Sequence, residues 1–300
     1  MFRLIYRQRR RLLFGWFFFL LTVFTMFFHS NGHDLASVEP SRLLWGLPLL
    51  FAAGLAMTGA VFAVIALLVA VMPRWRHIVE LTFVMVFLEV ALGLSPRIAA
   101  LLGLPPGYSG FVWFFIFVAL FSVTYGVALD RFRFALAWRS TRIAKLPLPP
   151  EEVWKSFAIR DHGPEGHWAP LLHRVEPHPD DPDTLDVLYK LGPSTYEHQT
   201  QQVLESTAPT RYRYRFFGDT ASPNRALTTG EFEVQIAPDG AGGSHVTVSE
   251  RHDAMLPRDA LNLWFDDFLG DTLDAIRART LGKRDWSIRG LAWRKILSLS

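Results

Sequence analysis

Apolar residues run almost unbroken through four stretches of the first 130 positions, roughly 12–29, 43–71, 78–94 and 111–129, and no comparable run follows. Each approaches or exceeds the roughly 20 residues needed to cross a bilayer's hydrocarbon core. Backbone polar groups cannot be left unpaired in lipid, so runs of this length are expected as helices. The pattern predicts a four-span helical membrane bundle over 1–129, a linker over 130–137, a globular domain over 138–280 and a tail over 281–300.

Beyond residue 138 the apolar positions recur at short period. Strands are expected at 141–146, 171–176, 184–191, 196–205, 211–217, 231–237 and 245–251, where side chains alternate between two faces. Phe232, Val234 and Ile236 against Glu231, Glu233 and Gln235 show this well, as do Tyr212, Tyr214 and Phe216 against Arg211, Arg213 and Arg215. Pro149-Pro150-Glu151-Glu152 starts a short helix with Val153, Trp154 and Phe157 as its buried stripe, since proline and carboxylates suit a helix's first turn. The runs 178–183 and 238–243 have turn composition. After Pro257 one long helix is expected, with Leu261, Trp264, Phe265, Phe268, Leu269, Thr272, Ala275 and Ile276 on one face and Asp259, Asp266, Asp271, Asp274 and Arg277 on the other.

Charge gives the membrane half an orientation. Arg3, Arg7, Arg9, Arg10 and Arg11 precede the first stretch, Arg74 and Arg76 follow the second, and Arg131 and Arg133 follow the fourth. Basic residues are retained on the cytoplasmic side, so both termini and the globular half are expected there, in what reads as a bacterial inner membrane. Asp34 and Glu39 against Arg42, and Arg97 alone, fall in the two outer loops. A cleaved signal peptide fits less well, because the apolar run is long and His29-Ser30-Asn31-Gly32-His33 offers no small-x-small site.

Within the apolar stretches, Glu89 is the polar group to explain, because an ionised carboxylate there costs several kcal/mol. It is expected to contact Ser122, Thr124 or Tyr125, with a proton or ligand role as the alternative; Glu80 reads as a hydrated interfacial charge. Gly54, Thr58 and Gly59, with Ala52, Ala56 and Ala60, let helices approach closely, either within the bundle or in a homodimer. No ion path or inverted repeat is evident, which argues against a transporter.

Residues 1–129 hold nine Lys/Arg and four Asp/Glu, and residues 130–300 hold 22 and 24. The globular half therefore lacks the basic excess of a nucleic-acid partner. Cysteine is absent, which removes disulfides and thiolate chemistry.

Four features stand together in the globular half: Arg142 through Trp154, Gly230-Glu231-Phe232-Glu233-Val234, the hairpin into Val246-Thr247-Val248-Ser249-Glu250, and the final helix. On these it resembles the START-like superfamily, also called the polyketide cyclase/dehydrase and lipid-transport family. The resemblance implies an α+β helix-grip fold, an antiparallel sheet around a long C-terminal helix, with an apolar ligand held between the two. The lining it implies is Tyr212, Tyr214, Phe216, Phe232, Val234, Trp264, Phe265 and Phe268, although the same alternation would serve a solid core.

Cyclase members of the family use polar pocket groups for acid/base chemistry, which would require a residue such as His198 to be buried beside the cavity. His162, His167 and His173 match no metal-ligand spacing and read as a solvated loop, and His252-Asp253, at the end of the last strand, reads as a surface turn with a cavity mouth as the alternative. No metal, cofactor or catalytic set is expected. The tail mixes Lys283, Arg284, Arg289, Arg294 and Lys295 with Trp286, Trp293, Ile296 and Leu297, a composition suited to an anionic membrane surface, with packing on the globular domain or disorder as the alternatives. The chain thus reads as a membrane-anchored domain binding a lipid or other apolar small molecule, with a cyclase-like enzyme and a non-enzymatic interaction protein as alternatives.

Overall fold

The computed structural model describes residues 2–35, 40–72, 75–126, 136–164, 167–169, 171–190, 196–219, 228–288 and 290. The expectations for Arg74, Arg131, Arg133, Arg289 and residues 293–297, and for the side chains of Asp34, Glu39 and Arg42, lie outside the described residues. The chain divides into two compact units, Met1–Ala128 and Leu129–Ser300.

The first unit is helical: α1 (Phe2–Arg7), α2 (Arg9–Leu35), α3 (Pro40–Val71), α4 (Arg76–Leu92), α5 (Leu94–Leu101) and α6 (Ser109–Thr124). Two segments, Arg9–Ser30 and Phe51–Val71, are long and apolar enough to cross a membrane, and α4 with α5 makes a third if that bent pair is one span. The 16 residues of α6 are apolar but shorter. The third apolar stretch forms α4 almost throughout, and at its end the chain bends by 68° at Gly93, whose φ of 55° suits a residue without a Cβ. Glu89 explains itself here. Its Oε2 accepts from Ser95 N at 3.0 Å and Ser95 Oγ at 2.7 Å, binding the start of α5 back to α4 instead of reaching the fourth stretch.

Glu80 departs further from expectation. It is buried, not hydrated, and its Oε1 accepts from both Arg11 Nη1 and the Tyr125 hydroxyl. Arg11 is fully buried with Gln8, whose Oε1 accepts from Arg11 Nε at 3.2 Å. The sequence places Arg11 and Tyr125 far from Glu80, so only helix packing joins them. Thr58 is buried as well, and its hydroxyl accepts from Trp16 Nε1 at 2.9 Å. That part of the small-residue stripe is used inside the bundle, while a Cβ added at Gly54 or Gly59 would meet nothing within 4 Å.

The second unit is an α+β layer. Strands β1 (Leu136–Leu146), β2 (Leu172–His178), β3 (Asp181–Lys190), β4 (Tyr196–Thr207), β5 (Arg211–Asp219), β6 (Thr228–Pro238) and β7 (Ser244–Met255) form one antiparallel sheet in the order β1-β7-β6-β5-β4-β3-β2. All seven expected strands form, and β1 begins five residues earlier than its apolar pattern indicated. The β6–β7 turn is held by Asp239, whose Oδ1 accepts from Ala241 N at 2.8 Å and Gly243 N at 2.7 Å. Its Oδ2 pairs with Lys145 at 2.9 Å, and that contact, helped by the two amides, holds the carboxyl pKa down at about 2. Gly240 and Gly242 supply the positive φ the turn needs.

One face of the sheet is apolar and carries the core. Leu146, Leu185, Val187, Val203, Tyr212, Tyr214, Phe216, Phe232, Val234, Ile236, Val246 and Val248 pack with Leu269, Leu273 and Ile276 from the C-terminal region. The opposite face carries ion pairs such as Arg213–Glu231 at 2.8 Å and Arg211–Glu233 at 2.9 Å, exposed enough that each contributes at most about 1 kcal/mol. The short helices α7 (Pro150–Lys155) and α8 (Ile159–His162) add Val153, Trp154, Phe157 and Ile159 to the core.

The long C-terminal helix is broken. It forms as α9 (Pro257–Phe265) and α10 (Phe268–Thr280), separated at Asp267, which has φ 48°. Arg142 of β1 holds the break by donating from Nε to Asp267 Oδ1 at 2.5 Å, with the carboxylate almost fully buried. Apolar spacing continues across the break, so periodicity alone shows one helix where a buried charge contact makes two. Asp271, expected on the solvent face, is buried and accepts from Ile288 N at 3.0 Å.

Candidate functional site

The inner face of the sheet gathers five of the eight proposed lining residues. Tyr212, Tyr214 and Phe216 of β5 and Phe232 and Val234 of β6 are all buried, with Tyr212 opposite Val234 and Tyr214 opposite Phe232. Phe265 is buried, Phe268 packs partly against this core, and Trp264 is 44% exposed. The break at Asp267 separates Trp264 and Phe265 from Phe268, so these three do not share one helix face.

The middle of this face is filled by aromatic rings. Phe232 stacks with Tyr214 at 5.2 Å between centroids, with Phe157 at 6.1 Å and with Trp168 at 6.1 Å, while Trp154 meets Tyr212 edge-on at 5.7 Å. Burial raises the pKa of the Tyr212 hydroxyl, with the nearby Arg160 backbone partly opposing it. The three loop histidines separate. His162 and His173 are exposed, whereas His167 is buried, its Nδ1 accepting from Ala169 N at 3.2 Å. Burial lowers the His167 pKa to about 3, so this ring stays neutral. Arg279 secures the segment by donating to the His167 carbonyl at 2.6 Å and to the Trp168 carbonyl at 3.3 Å.

His198 does not enter the interior. It lies on the outer face, half exposed, 3.5 Å from Asp186, because its register partner Leu188 lies on that face. Polar residues that do turn inward include Gln201, Glu250 and His252. His252 is 6% exposed, and its Nε2 is 2.9 Å from Glu250 Oε1. These two residues are two apart on β7 and so share the inner face. The surface turn expected at His252 is therefore corrected: β7 runs on to Met255 and carries the imidazole into the interior.

The surroundings of this pair are largely aromatic. The His252 ring meets Phe216 at 5.1 Å and Trp138 at 5.7 Å, both edge-on. Gly230 lies opposite His252, where a Cβ would fall 2.1 Å from the Arg251 carbonyl oxygen and 2.6 Å from the Phe216 ring. Only glycine fits that position. Glu250 Oε2, His252 Nδ1 and Gln201 Oε1 are buried without a hydrogen-bond partner among the described residues. Each such atom costs about 1–3 kcal/mol, so three on one face call for an explanation. The sequence signal was faint: even-numbered positions 244–252 alternate inward, but two polar residues at the end of that series look like a strand leaving the core.

A cleft of ≈ 400 Å³ lies elsewhere on this domain, lined by Glu152, Lys155, Ser156, His162, Ile276, Arg279 and Thr280. Six of these seven residues are polar or charged, and none of the expected aromatic residues contributes.

A seven-stranded antiparallel sheet packed by short helices after β1 and by helices at its C-terminal end defines a helix-grip domain. Residues 137–283 match the family described as polyketide cyclase / dehydrase and lipid transport, and this domain of the chain belongs to that START-like family. Solved structures with a similar arrangement include Ara h 8.0201, 20% identical with a TM-score of 0.38, covering 49% of this chain and 100% of that one. Another is a conserved protein from Geobacillus kaustophilus, 13% identical with a TM-score of 0.38, covering 48% and 96%. The Mll3558 protein from Rhizobium loti is 13% identical with a TM-score of 0.35, covering 48% and 98%. No curated protein matches the chain.

Proposed function

We propose that this protein is a membrane-anchored START-like domain that binds a lipid or another apolar small molecule. The observation that carries this reading is the union, in one chain, of long apolar helices with a domain of a family described by lipid transport. A binding domain tethered to the bilayer meets a membrane-dissolved ligand at high effective concentration. The aromatic inner face, with Tyr212, Tyr214, Phe216, Phe232, Val234 and Phe265 buried and Trp264 and Phe268 less so, supplies the apolar contacts.

In this reading α2, α3, the bent α4–α5 pair and α6 make four crossings, with both termini in the cytoplasm. The clustering of arginines around the start of α2 and after α3 supports that orientation. The open positions at Gly54 and Gly59 leave room for a second copy of α3.

The test is native mass spectrometry of the full chain after detergent exchange, followed by extraction and identification of what stays bound. One apolar species retained at a fixed stoichiometry is the expected result. Recovery of nothing but bulk lipid in the proportions of the source membrane would reject the reading.

A further inference from the structure

We propose that Glu250 and His252 form the polar end of the binding site, an acceptor pair that takes the hydroxyl of an otherwise apolar alcohol or phenol. The inference rests on the apolar-ligand reading above and narrows it to a chemical class.

The argument begins with proton bookkeeping. In the tautomer whose Nε2–H donates to Glu250 Oε1 at 2.9 Å, the imidazole presents a bare lone pair at Nδ1. Glu250 Oε2 is an acceptor whenever the carboxylate is ionised. Both atoms are buried and lack a partner among the described residues. A third atom in the same state, Gln201 Oε1, lies on the same row of the sheet. That row runs from Trp138 through His252, Gly230 and Phe216 to Gln201. The Gln201 amide nitrogen is already engaged, with Gln199 Oε1 at 2.6 Å and the Tyr189 hydroxyl at 3.2 Å. The inner face at this level therefore has surplus acceptors and too few donors.

A purely apolar ligand would leave that surplus unchanged. A ligand whose only polar group is a carbonyl or an ether would add a further acceptor. A hydroxyl supplies the missing donor, and the aromatic surroundings of Phe216 and Trp138 suit the apolar remainder. Gly230 adds to the case: the strand position facing His252 carries no side chain that could satisfy the imidazole from within.

The experiment compares two probes of similar size, 2-naphthol and its methyl ether 2-methoxynaphthalene, which differ in the donor. Each is titrated against the full chain in nanodiscs, with empty nanodiscs subtracted. The wild-type protein is expected to bind 2-naphthol about ten-fold more tightly, the worth of one hydrogen bond to a buried acceptor. His252→Phe keeps a ring against Phe216 and Trp138 and should bring the two probes within about two-fold. Glu250→Gln replaces the carboxylate with an amide, which removes one of the two free acceptors, and should also narrow the gap between the two probes. This second variant keeps the test decisive if His252→Phe fails to fold.

Equal affinity of the wild-type protein for both probes would overturn the acceptor assignment and leave the apolar-ligand reading standing. A naphthol preference unchanged in both variants would overturn it too, by placing the donor's partner elsewhere. Binding of neither probe above empty nanodiscs would overturn both readings.

Discussion

The two units of this chain bury opposite kinds of side chain. In the first, Leu49, Leu67, Leu68, Phe111, Phe114 and Phe115 face outward, while Gln8, Arg11, Thr58, Glu80 and Ser95 are hidden. The second hides valine, leucine and aromatic residues and places Arg211, Arg213, Glu231 and Glu233 on its outer face. An outward apolar surface suits lipid, where burying more hydrocarbon brings no gain and polar contacts hold helices together. In the second unit water is the reference, so burial of apolar area is the driving term.

The units also treat a buried titratable group differently. The first keeps charge and pairs it, with Arg11, Glu80 and Tyr125 locked together. The second removes the charge from His167 by depressing its pKa to about 3. A lone ring with one accepted amide hydrogen bond is easier to neutralise than an arginine, which stays protonated in any protein interior.

Breaking the first arrangement should have the largest effect. Arg11→Met leaves Glu80 buried without its cation and is expected to cost about 3–5 kcal/mol, read by reversible unfolding of the full chain in mixed micelles. The double change Arg11→Met with Glu80→Leu should recover most of that loss. A single-variant cost under about 1 kcal/mol would mean that the pair is hydrated and the contrast between units is false.

The second arrangement gives a pH signature. Because the folded pKa of His167 lies near 3 and the unfolded value near 6.5, the unfolded chain binds the extra proton between those values. Stability contributed by the neutral ring is thus fully present above pH 6.5 and falls as pH drops toward 3, by at most about 1.4 kcal/mol per pH unit. His167→Asn keeps an acceptor for the Ala169 amide and should flatten this limb in a pH series of denaturant midpoints. An unchanged slope would place the acid sensitivity in other groups.

The smallest effect sets the baseline. Lys155 and Glu152 pair at 2.7 Å with both side chains about half exposed. Lys155→Ala should cost under about 0.5 kcal/mol and lose its salt dependence, the behaviour of a solvated helix pair. A loss comparable to that of Arg11→Met would show that exposure is a poor guide to pair strength in this domain.

Local pattern was enough for much of the architecture. Strict alternation placed β5, β6 and β7 within a few residues, because a half-buried strand must repeat every second position. Pro149-Pro150-Glu151-Glu152 likewise marked α7, whose first-turn chemistry is local. The aromatic inner face around Phe232 was legible for the same reason. The site's polar end was not: His252 looked like a turn residue, since nothing local shows that β7 continues beneath Phe216 and Trp138. His198, the histidine that stood out, has the register of the outer face.

By itself, then, the sequence determined the division into an apolar helical half and a half of alternating strands, the strand set, the family resemblance and the aromatic face. All of these follow from composition and short-range periodicity, which every segment carries within itself. Tertiary structure alone decided that Arg11 meets Glu80 and Tyr125, that Arg142 reaches Asp267 where the terminal helix breaks, and that Glu250 and His252 face inward with unused acceptors. Those outcomes depend on which distant segments share a low-dielectric interior, where an unpaired charge or lone pair costs more than any local preference can offset.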